Sequence, residues 1–584
     1  MSETAGGISP ADDQTRQPTT ARRKGGLKTM PFIISNESLE KVASVGLQAN
    51  MTFYLKKQYH LTNSAAANVL FLWGALSNFT PIVGAFAADS YFGRFRVIVV
   101  GTLVTVSGML VLWTTAIFPT ARPQSCHAKH CDSPDHGQLL LLFTSFILMA
   151  IGAGGIRPCS LAFGADQLSD PTNPRNERTL QTFFSWYYAS IGISVIVSAL
   201  AIVAIQDQFG WVIGFGVPVA LMVLSAVLFL IGSPAYVRVP GDSTLLTSFG
   251  RVVVGAWRNR GLTVPPRDSD RWVCGQESKL VRPTDKWSFL SLTRFLNKAC
   301  MISNPSDDLP KDQNTLCTVQ QVEELKSLLK LLPIWSTTII IAATISQHTF
   351  PALQASSMDR RFIGNFKLPP ASYGAIFGIL TLTLWVALYD RVLVPKILAT
   401  KLLNHPNGIP NKHRMGIGLL ISCLATAVAG AVEHRRRWTA ATGRIMSANW
   451  LIPQHCLTGL GEAFSIIGQI EFYYSQFPPS MRSVAMALVS LGLGAGNLAG
   501  SLIVSVVDDI TGKGGGRVSW VGNDLNRGHY DYYYWLLAVL SVGNFFYYLV
   551  CSWAYGSDDR KLWDAVEVGS GDDDEAGREM KIVV

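Results

Sequence analysis

Val97-Ile-Val-Val-Gly-Thr-Leu-Val-Thr-Val-Ser-Gly-Met-Leu-Val-Leu-Trp-Thr-Thr-Ala-Ile-Phe118 contains no charged side chain. A helix crossing the ~30 Å hydrocarbon core of a bilayer needs about 20 such residues. One such run could belong to a large soluble core, but Trp211–Gly232, Gly416–Val432 and Tyr533–Tyr548 are uncharged runs of the same kind. Only 15% of the 584 residues are charged and 48% are hydrophobic, against about 25% charged in soluble proteins. The deficit is concentrated in the runs. Read outward from 97–118, the chain predicts twelve membrane spans, near 31–55, 66–90, 97–118, 138–163, 182–206, 210–233, 330–350, 371–395, 413–434, 450–474, 482–507 and 532–555.

Six spans, a polar stretch and six more spans set the organisation. The expectation is an all-α membrane protein with an N-terminal tail (1–30), a six-helix half (31–233), a linker (234–329), a second six-helix half (330–555) and an acidic tail (556–584). Many secondary transporters are two such halves with the solute site between them at mid-membrane depth. Gly152, Gly154, Gly155 and Pro158 in the fourth span, and Gly492, Gly494, Gly496 and Gly500 in the eleventh, let membrane helices approach closely.

The first 28 residues are polar and end in Arg22, Arg23, Lys24 and Lys28. A cleavable signal peptide would place its apolar core earlier, so the first span is expected to be an uncleaved anchor with its tail in the cytosol. The formal charge of +9 does not point to nucleic acid. Lys and Arg are more numerous in the even-numbered loops and the two tails, which marks that face as cytosolic. In the linker, Pro265, Pro266, Asp268, Asp270, Asp307 and Asp308 read as solvated chain, while Leu245, Leu246, Phe249, Val252, Val253 and Trp257 alternate with Arg251, Arg258 and Arg260. That pattern fits an amphipathic helix on the inner leaflet, or equally a helix packed under the bundle. Asp572, Asp573, Asp574 and Glu575 give the last tail its acidity. Cys126 and Cys131 share the loop after the third span, either as a disulfide or as two free thiols.

The informative residues are charges inside spans, each costing at least ~2.5–3.5 kcal/mol unless a polar cavity or a partner receives it. Glu37, Glu40 and Lys41 in the first span share one helix face by their i, i+3, i+4 spacing; Arg157 lies in the fourth span and Glu462 in the tenth. A purely structural network is the plainer reading, but packed apolar residues would usually be as stable. Three carboxylates and two cations leave the set at −1, so one bound proton neutralises it and a second lets an anion enter without an uncompensated charge. No nucleophile–base pair, metal cluster or phosphate loop stands out, which argues against an enzyme.

After the second span runs Gly84-Ala-Phe-Ala-Ala-Asp89-Ser-Tyr-Phe-Gly93-Arg94-Phe-Arg96. It resembles the loop motif of the major facilitator superfamily, with Tyr389-Asp390-Arg391 as a degenerate counterpart. The implied role for Asp89 and Arg94 is a cytosolic latch that switches with conformation. Glu37-x-x-Glu40-Lys41 resembles the ExxER/K motif of the plant nitrate and peptide transporter family, the proton-dependent oligopeptide transporters. Gly155-Ile-Arg-Pro-Cys159, Phe163-Gly-Ala-Asp-Gln167, Phe183-Phe-Ser-Trp-Tyr-Tyr188, Leu332-Pro-Ile-Trp335, Arg414-Met-Gly-Ile417 and Gly461-Glu-Ala-Phe464 support it over residues 25–555. Lys24-Gly-Gly-Leu-Lys-Thr-Met-Pro31 and Lys41-Val-Ala-Ser44 look closest to the first plant subfamily.

The resemblance implies a major facilitator fold with no cofactor. It assigns proton coupling to Glu37, Glu40 and Lys41, and a gating and substrate-binding role to Arg157 and Glu462, paired across the cavity in one state. Arg157 stands where many relatives have lysine, and its planar fork suits an oxyanion. Two positions depart from the family: a helix-7 histidine associated with nitrate in a relative falls on Ile345, and the asparagine of the helix-5 signature is Gly192. Gln347, beside His348 and near that helix-7 position, joins the candidate substrate-binding set. The expected activity is proton-coupled symport in a plant plasma membrane, with protons and nitrate as first partners. Di- and tripeptides, plant hormones, glucosides, or a substrate-sensing receptor without net flux remain the alternatives.

Overall fold

The computed structural model describes residues 25–124, 133–168, 176–238, 245–262, 295–301, 317–364, 366–398, 409–477, 481–512 and 518–556. Cys126, Cys131, the Arg22–Lys24 cluster, Pro265, Pro266, Asp307, Asp308 and the acidic 572–575 tail lie outside the described residues.

The first half is built of α1 (Met30–Gln58), α2 (Asn63–Ala87), α3 (Arg94–Ile117), α4 (His136–Leu168), α5 (Asn176–Val197) and α6 (Val203–Ile231). Pro31 occupies the first turn of α1, where its missing N–H costs nothing. Thr62 caps α2 by accepting the Ala65 N–H at 3.1 Å. A π turn, Ala88–Phe92, extends α2 to Gly93, whose φ of 75° begins α3 at an angle that a side chain would resist. The helical stretch Thr182–Ala235 runs 54 residues, yet it is two spans, divided near Gln206-Asp207-Gln208. The chain turns back at Gly210 (φ 78°). Ser198 and Gln206 bond to Val42 and Gly46 of α1, Trp211 packs on Tyr54, and Ser225 returns to Asn36.

In the linker, α7 (Leu245–Arg258) buries Phe249, Val252 and Ala256 against Ala299, Cys300, Cys317, Val319 and Val322. The segment thus packs against the start of the second half, and Val253, Val254 and Trp257 remain exposed on its other side.

The helix of the seventh span begins before 330. Helix α8 (Val319–Ser336) starts at a capping box between Thr318 and Gln321, and its first turns bury an ion pair, Lys326 Nζ to Glu323 Oε1 at 2.7 Å. It continues as α9 (Thr338–Ile345) and α10 (Thr349–Ser356) after a 50° bend. At the bend, Asn544 Nδ2 donates to the Thr337 carbonyl at 2.7 Å, satisfying a group the broken helix leaves open. A hairpin, β1 (Arg361–Ile363) with β2 (Phe366–Lys367), interrupts the otherwise helical chain. Then come α11 (Ser372–Leu388), α12 (Asn411–Ala441), α13 (Ile452–Gln476), α14 (Arg482–Gly512) and α15 (Tyr530–Tyr555).

These elements make two six-span halves, with α8–α10 forming one bent span. Helices α1 and α13 carry charged and polar groups along their spans: Glu37, Glu40 and Lys41 on one, Gln454, His455, Glu462 and Gln469 on the other. Glycines bring helices together where lipid supplies no hydrophobic drive. A Cβ on Gly154 of α4 would meet Thr80 of α2 at 2.6 Å, and one on Gly494 of α14 would meet Phe79 at 2.6 Å. Between the halves, Asn63 bonds Gly522, Asn523 and Tyr530; Asn68 bonds Ser501 and Ser505; Thr52 bonds Thr349; and Arg360 pairs with Asp207. Among the described residues these joining bonds all lie at the end of the bundle opposite the start of α1, here the far end.

Candidate functional site

Helix α1 places its three charges as the spacing requires. Lys41 Nζ sits 3.3 Å from Glu37 Oε1 and 3.1 Å from Glu40 Oε2. Both carboxylates are buried, Glu40 completely. One ammonium cannot saturate two carboxylates, and Glu37 Oε2 and Glu40 Oε1 keep unused acceptor capacity. Tyr187 of α5, itself buried, stands against Glu37. It belongs to the Phe183–Tyr188 stretch but had no role in the sequence reading, because only the packing of α5 on α1 brings it there.

Arg157 is half-buried on α4 and within electrostatic reach of Glu40. Its Nε has no partner. Glu462 is half-buried on α13. Among the described residues no ion pair joins Arg157 to Glu462, so the pairing expected in one state of the cycle is not made in this one. The reason lies in the arrangement of the halves, whose mutual bonds gather at the far end. Arg157 instead completes a first-half set of two carboxylates and two cations, while Glu462 lies on the second half.

Gln347 is buried at the break between α9 and α10, and both ends of its amide are occupied. Its Oε1 accepts from the Tyr533 hydroxyl at 3.0 Å and its Nε2 donates to the Ala343 carbonyl at 3.1 Å. In this conformation it holds α15 against the broken helix. The next residue, His348, is exposed and within electrostatic reach of His455 on α13. His455 is buried with Nε2 unpartnered. It was invisible to the sequence reading, since a lone histidine in an apolar span carries no pattern.

Asp89 and Arg94 meet, Arg94 Nε to Asp89 Oδ1 at 3.2 Å. The stronger partner is Asp166 at the end of α4, whose two oxygens each lie 2.8 Å from Arg94 Nη1. In the second half Arg414 of α12 pairs with Glu471 of α13 and lies over the Tyr389 ring at 4.7 Å. Asp166 and Arg414 stood in motif stretches quoted above, but their pairing depends on neighbouring helix ends that spacing alone does not relate.

Comparison with known proteins adds the following. Residues 95–521 match the family described as the POT family. The chain is 48% identical over 563 residues to the protein NRT1/PTR family 1.1 of Arabidopsis thaliana, covering 93% of each chain. It is 45% identical over 573 residues to NRT1/PTR family 1.2 of the same plant, covering 94% of this chain and 93% of that one. Among solved structures, an auto-inhibited POT family peptide transporter matches with a TM-score of 0.66 at 21% identity, over 91% of this chain and 98% of its own. A POT family transporter solved with 5-aminolevulinic acid matches with a TM-score of 0.62 at 13% identity, over 92% and 99%. The two solved structures agree in fold; the plant relatives carry the assignment, and this chain is a multi-span membrane transporter of the POT family.

Proposed function

We propose that this transporter is a proton-coupled symporter that imports nitrate across a plant plasma membrane by alternating access. The observation that carries the reading is the buried Glu37–Glu40–Lys41 cluster with Arg157 beside it. Two carboxylates with spare acceptor atoms next to a guanidinium form a unit whose net charge changes with each proton. Protonating both carboxylates leaves Lys41 and Arg157 uncompensated, and a small anion together with the Glu462 carboxylate restores neutrality. Inward proton movement supplies ~2.3 kcal/mol per charge for each 100 mV of potential, enough to concentrate such an anion.

With the termini in the cytosol, as the basic bias suggests, the far end is the outer one. A structure whose halves are joined there is an inward-open state. In this reading Arg157 is the substrate contact, Glu462 the opposing gate residue, and Gln347 a helix-7 residue released to the cavity only if its bond to Tyr533 breaks.

A second reading is favoured by Glu462, a second-half carboxylate without an ion-pair partner among the described residues. A solute carrying both an ammonium and a carboxylate, such as a short peptide, would satisfy both it and Arg157. Uptake of labelled nitrate and of a labelled dipeptide in oocytes at two external pH values decides between them. Nitrate uptake that rises at acidic external pH supports the first reading. Dipeptide uptake without nitrate uptake supports the second, and uptake indifferent to the proton gradient sinks both.

A further inference from the structure

Helix α7 has one side that the bundle covers and another that it leaves open. Phe249, Val252 and Ala256 recur at i, i+3 and i+7 and pack on Ala299, Cys300, Val319 and Val322. Val253, Val254 and Trp257 lie off that face and are 51%, 67% and 64% exposed. Arg251 and Arg258 stand three residues before and four after Val254, on the flank of this apolar stripe. Arg260, just past the helix, lies over the Trp257 ring at 5.0 Å. All three arginines are exposed, and among the described residues none has an ion-pair partner.

In water this arrangement is unfavourable twice over. The stripe keeps large apolar side chains hydrated, and the cations repel one another. A bilayer surface carrying anionic lipid relieves both, because apolar side chains enter the headgroup boundary while arginines meet phosphates. Helix α7 lies close to such a surface. Its buried side belongs to one apolar cluster that continues through Leu325 and Leu331 of α8 to Tyr548 and Tyr555 of α15. Val322, on which α7 packs, precedes Leu328 at the start of the seventh span's apolar run by six residues, about 9 Å of helix. Headgroups extend ~5–7 Å beyond the hydrocarbon core, and an arginine side chain spans the remainder. The end of α7 is held in place: Asn259 Nδ2 donates to the Lys298 carbonyl at 2.8 Å, and Lys298 Nζ donates to the Arg260 carbonyl at 2.7 Å. We propose that α7 is an interfacial helix that binds anionic phospholipid of the inner leaflet. Val253, Val254 and Trp257 sit in the headgroup boundary, and Arg251, Arg258 and Arg260 hold lipid phosphates. The proposal takes the linker as cytosolic and is independent of which solute is carried and of its coupling.

The test uses the full-length chain in nanodiscs of equal parts phosphatidylcholine and phosphatidylserine. A photo-crosslinking amino acid, benzoylphenylalanine, replaces the exposed Val254, and mass spectrometry identifies what it captures. Phospholipid adducts should dominate, with phosphatidylserine outnumbering phosphatidylcholine severalfold, since each arginine near an anionic surface is worth roughly fivefold. Capture of another part of this chain, such as residues 263–294, overturns the proposal, and so does the absence of any adduct. Lipid adducts split evenly between the two headgroups overturn the anionic site. Arg251→Gln combined with Arg258→Gln and Arg260→Gln should bring the two lipids level at an unchanged melting temperature, because the three side chains are exposed. Arg258→Gln alone serves if the triple variant folds poorly, and should reduce the preference roughly fivefold. A preference unchanged by these substitutions overturns the role of the arginines.

Discussion

Arg94 Nη1 lies 2.8 Å from both carboxylate oxygens of Asp166, tying the start of α3 to the end of α4. The second half repeats the arrangement with Arg414 at the start of α12 and Glu471 on α13. Each cation also touches the end of a preceding span: Arg94 at Asp89, Arg414 over Tyr389. Both clusters lie within a half, so each holds three helix ends in one rigid body. A half that moves as a unit needs such ties at the end where it parts from its partner.

Breaking either tie should therefore impair movement more than stability. Asp89, Arg94, Asp166 and Glu471 are partly exposed, though Arg414 is buried, and partly exposed pairs contribute about 0–1 kcal/mol. Asp166→Asn and Glu471→Gln should each lower uptake severalfold with surface expression and melting temperature little changed. Asp166→Glu should retain most of the activity. Wild-type uptake in Asp166→Asn would remove the tie from the mechanism.

Lys41 is the only cation within ion-pairing distance of Glu37 and Glu40 among the described residues. Lys41→Met leaves two buried carboxylates facing each other, and loss of one partner of a buried pair costs about 3–5 kcal/mol. The carboxylates avoid that cost by retaining protons, so gradient-driven uptake should vanish while solute exchange without net proton movement survives. Lys41→Arg should keep part of the driven uptake. Reconstituted vesicles with and without a proton gradient separate the two activities, and full driven uptake in Lys41→Met would contradict the assigned role.

Glu433 and Arg436 form another buried pair, with two contacts of 2.7 Å, at 0% and 2% exposure. Gln354 donates to Glu433, and Arg436 donates to Asn526, the Leu525 carbonyl and Ser357. The pair thus fastens α12 to α10 and to the segment before α15. Arg436→Met should destabilise the protein by about 3–5 kcal/mol, seen as a lowered melting temperature in detergent. Glu433→Leu with Arg436→Met should recover much of it, since a buried pair replaced whole by apolar groups costs little. A double variant no more stable than the single one would show that the network's other bonds carry the stability.

The legible parts of this molecule were local or periodic. Uncharged runs mark spans directly, and the Glu37–Glu40–Lys41 contacts follow from one helix face. Boundaries drifted where hydropathy and structure diverge: α8 extends to Val319 because an amphipathic turn with a buried Glu323–Lys326 pair is helical yet not apolar. The hairpin at Arg361–Lys367 is too short to leave an alternating pattern. Site contacts between helices were illegible for a different reason. Asp166 to Arg94, Tyr187 to Glu37 and Arg157 to Glu40 depend on which helices adjoin, and the partner of Arg157 is expected to depend also on the conformational state.

That last dependence can be measured. With the halves joined at the far end, Asn68 Nδ2 lies 2.9 Å from Ser505 Oγ across the interface, and Arg157 is unpaired with Glu462. If the Arg157–Glu462 pair forms when the other end closes, it stabilises only the opposite state, and removing it shifts the population toward the state seen here. Cysteines at Asn68 and Ser505 report that population through their rate of oxidative crosslinking. Glu462→Gln and Arg157→Gln should each raise the rate, with a loss of uptake at unchanged surface expression. A shift worth ~1.4 kcal/mol corresponds to tenfold in the equilibrium between the two states. Arg157→Glu combined with Glu462→Arg should return the crosslinking rate toward wild type even if the solute no longer binds, because the pair is restored with its polarity reversed. The double variant separates a gate from two independent solute contacts. Strictly additive effects, with no recovery in the swap, would mean that the two residues never meet and that each acts on the solute alone.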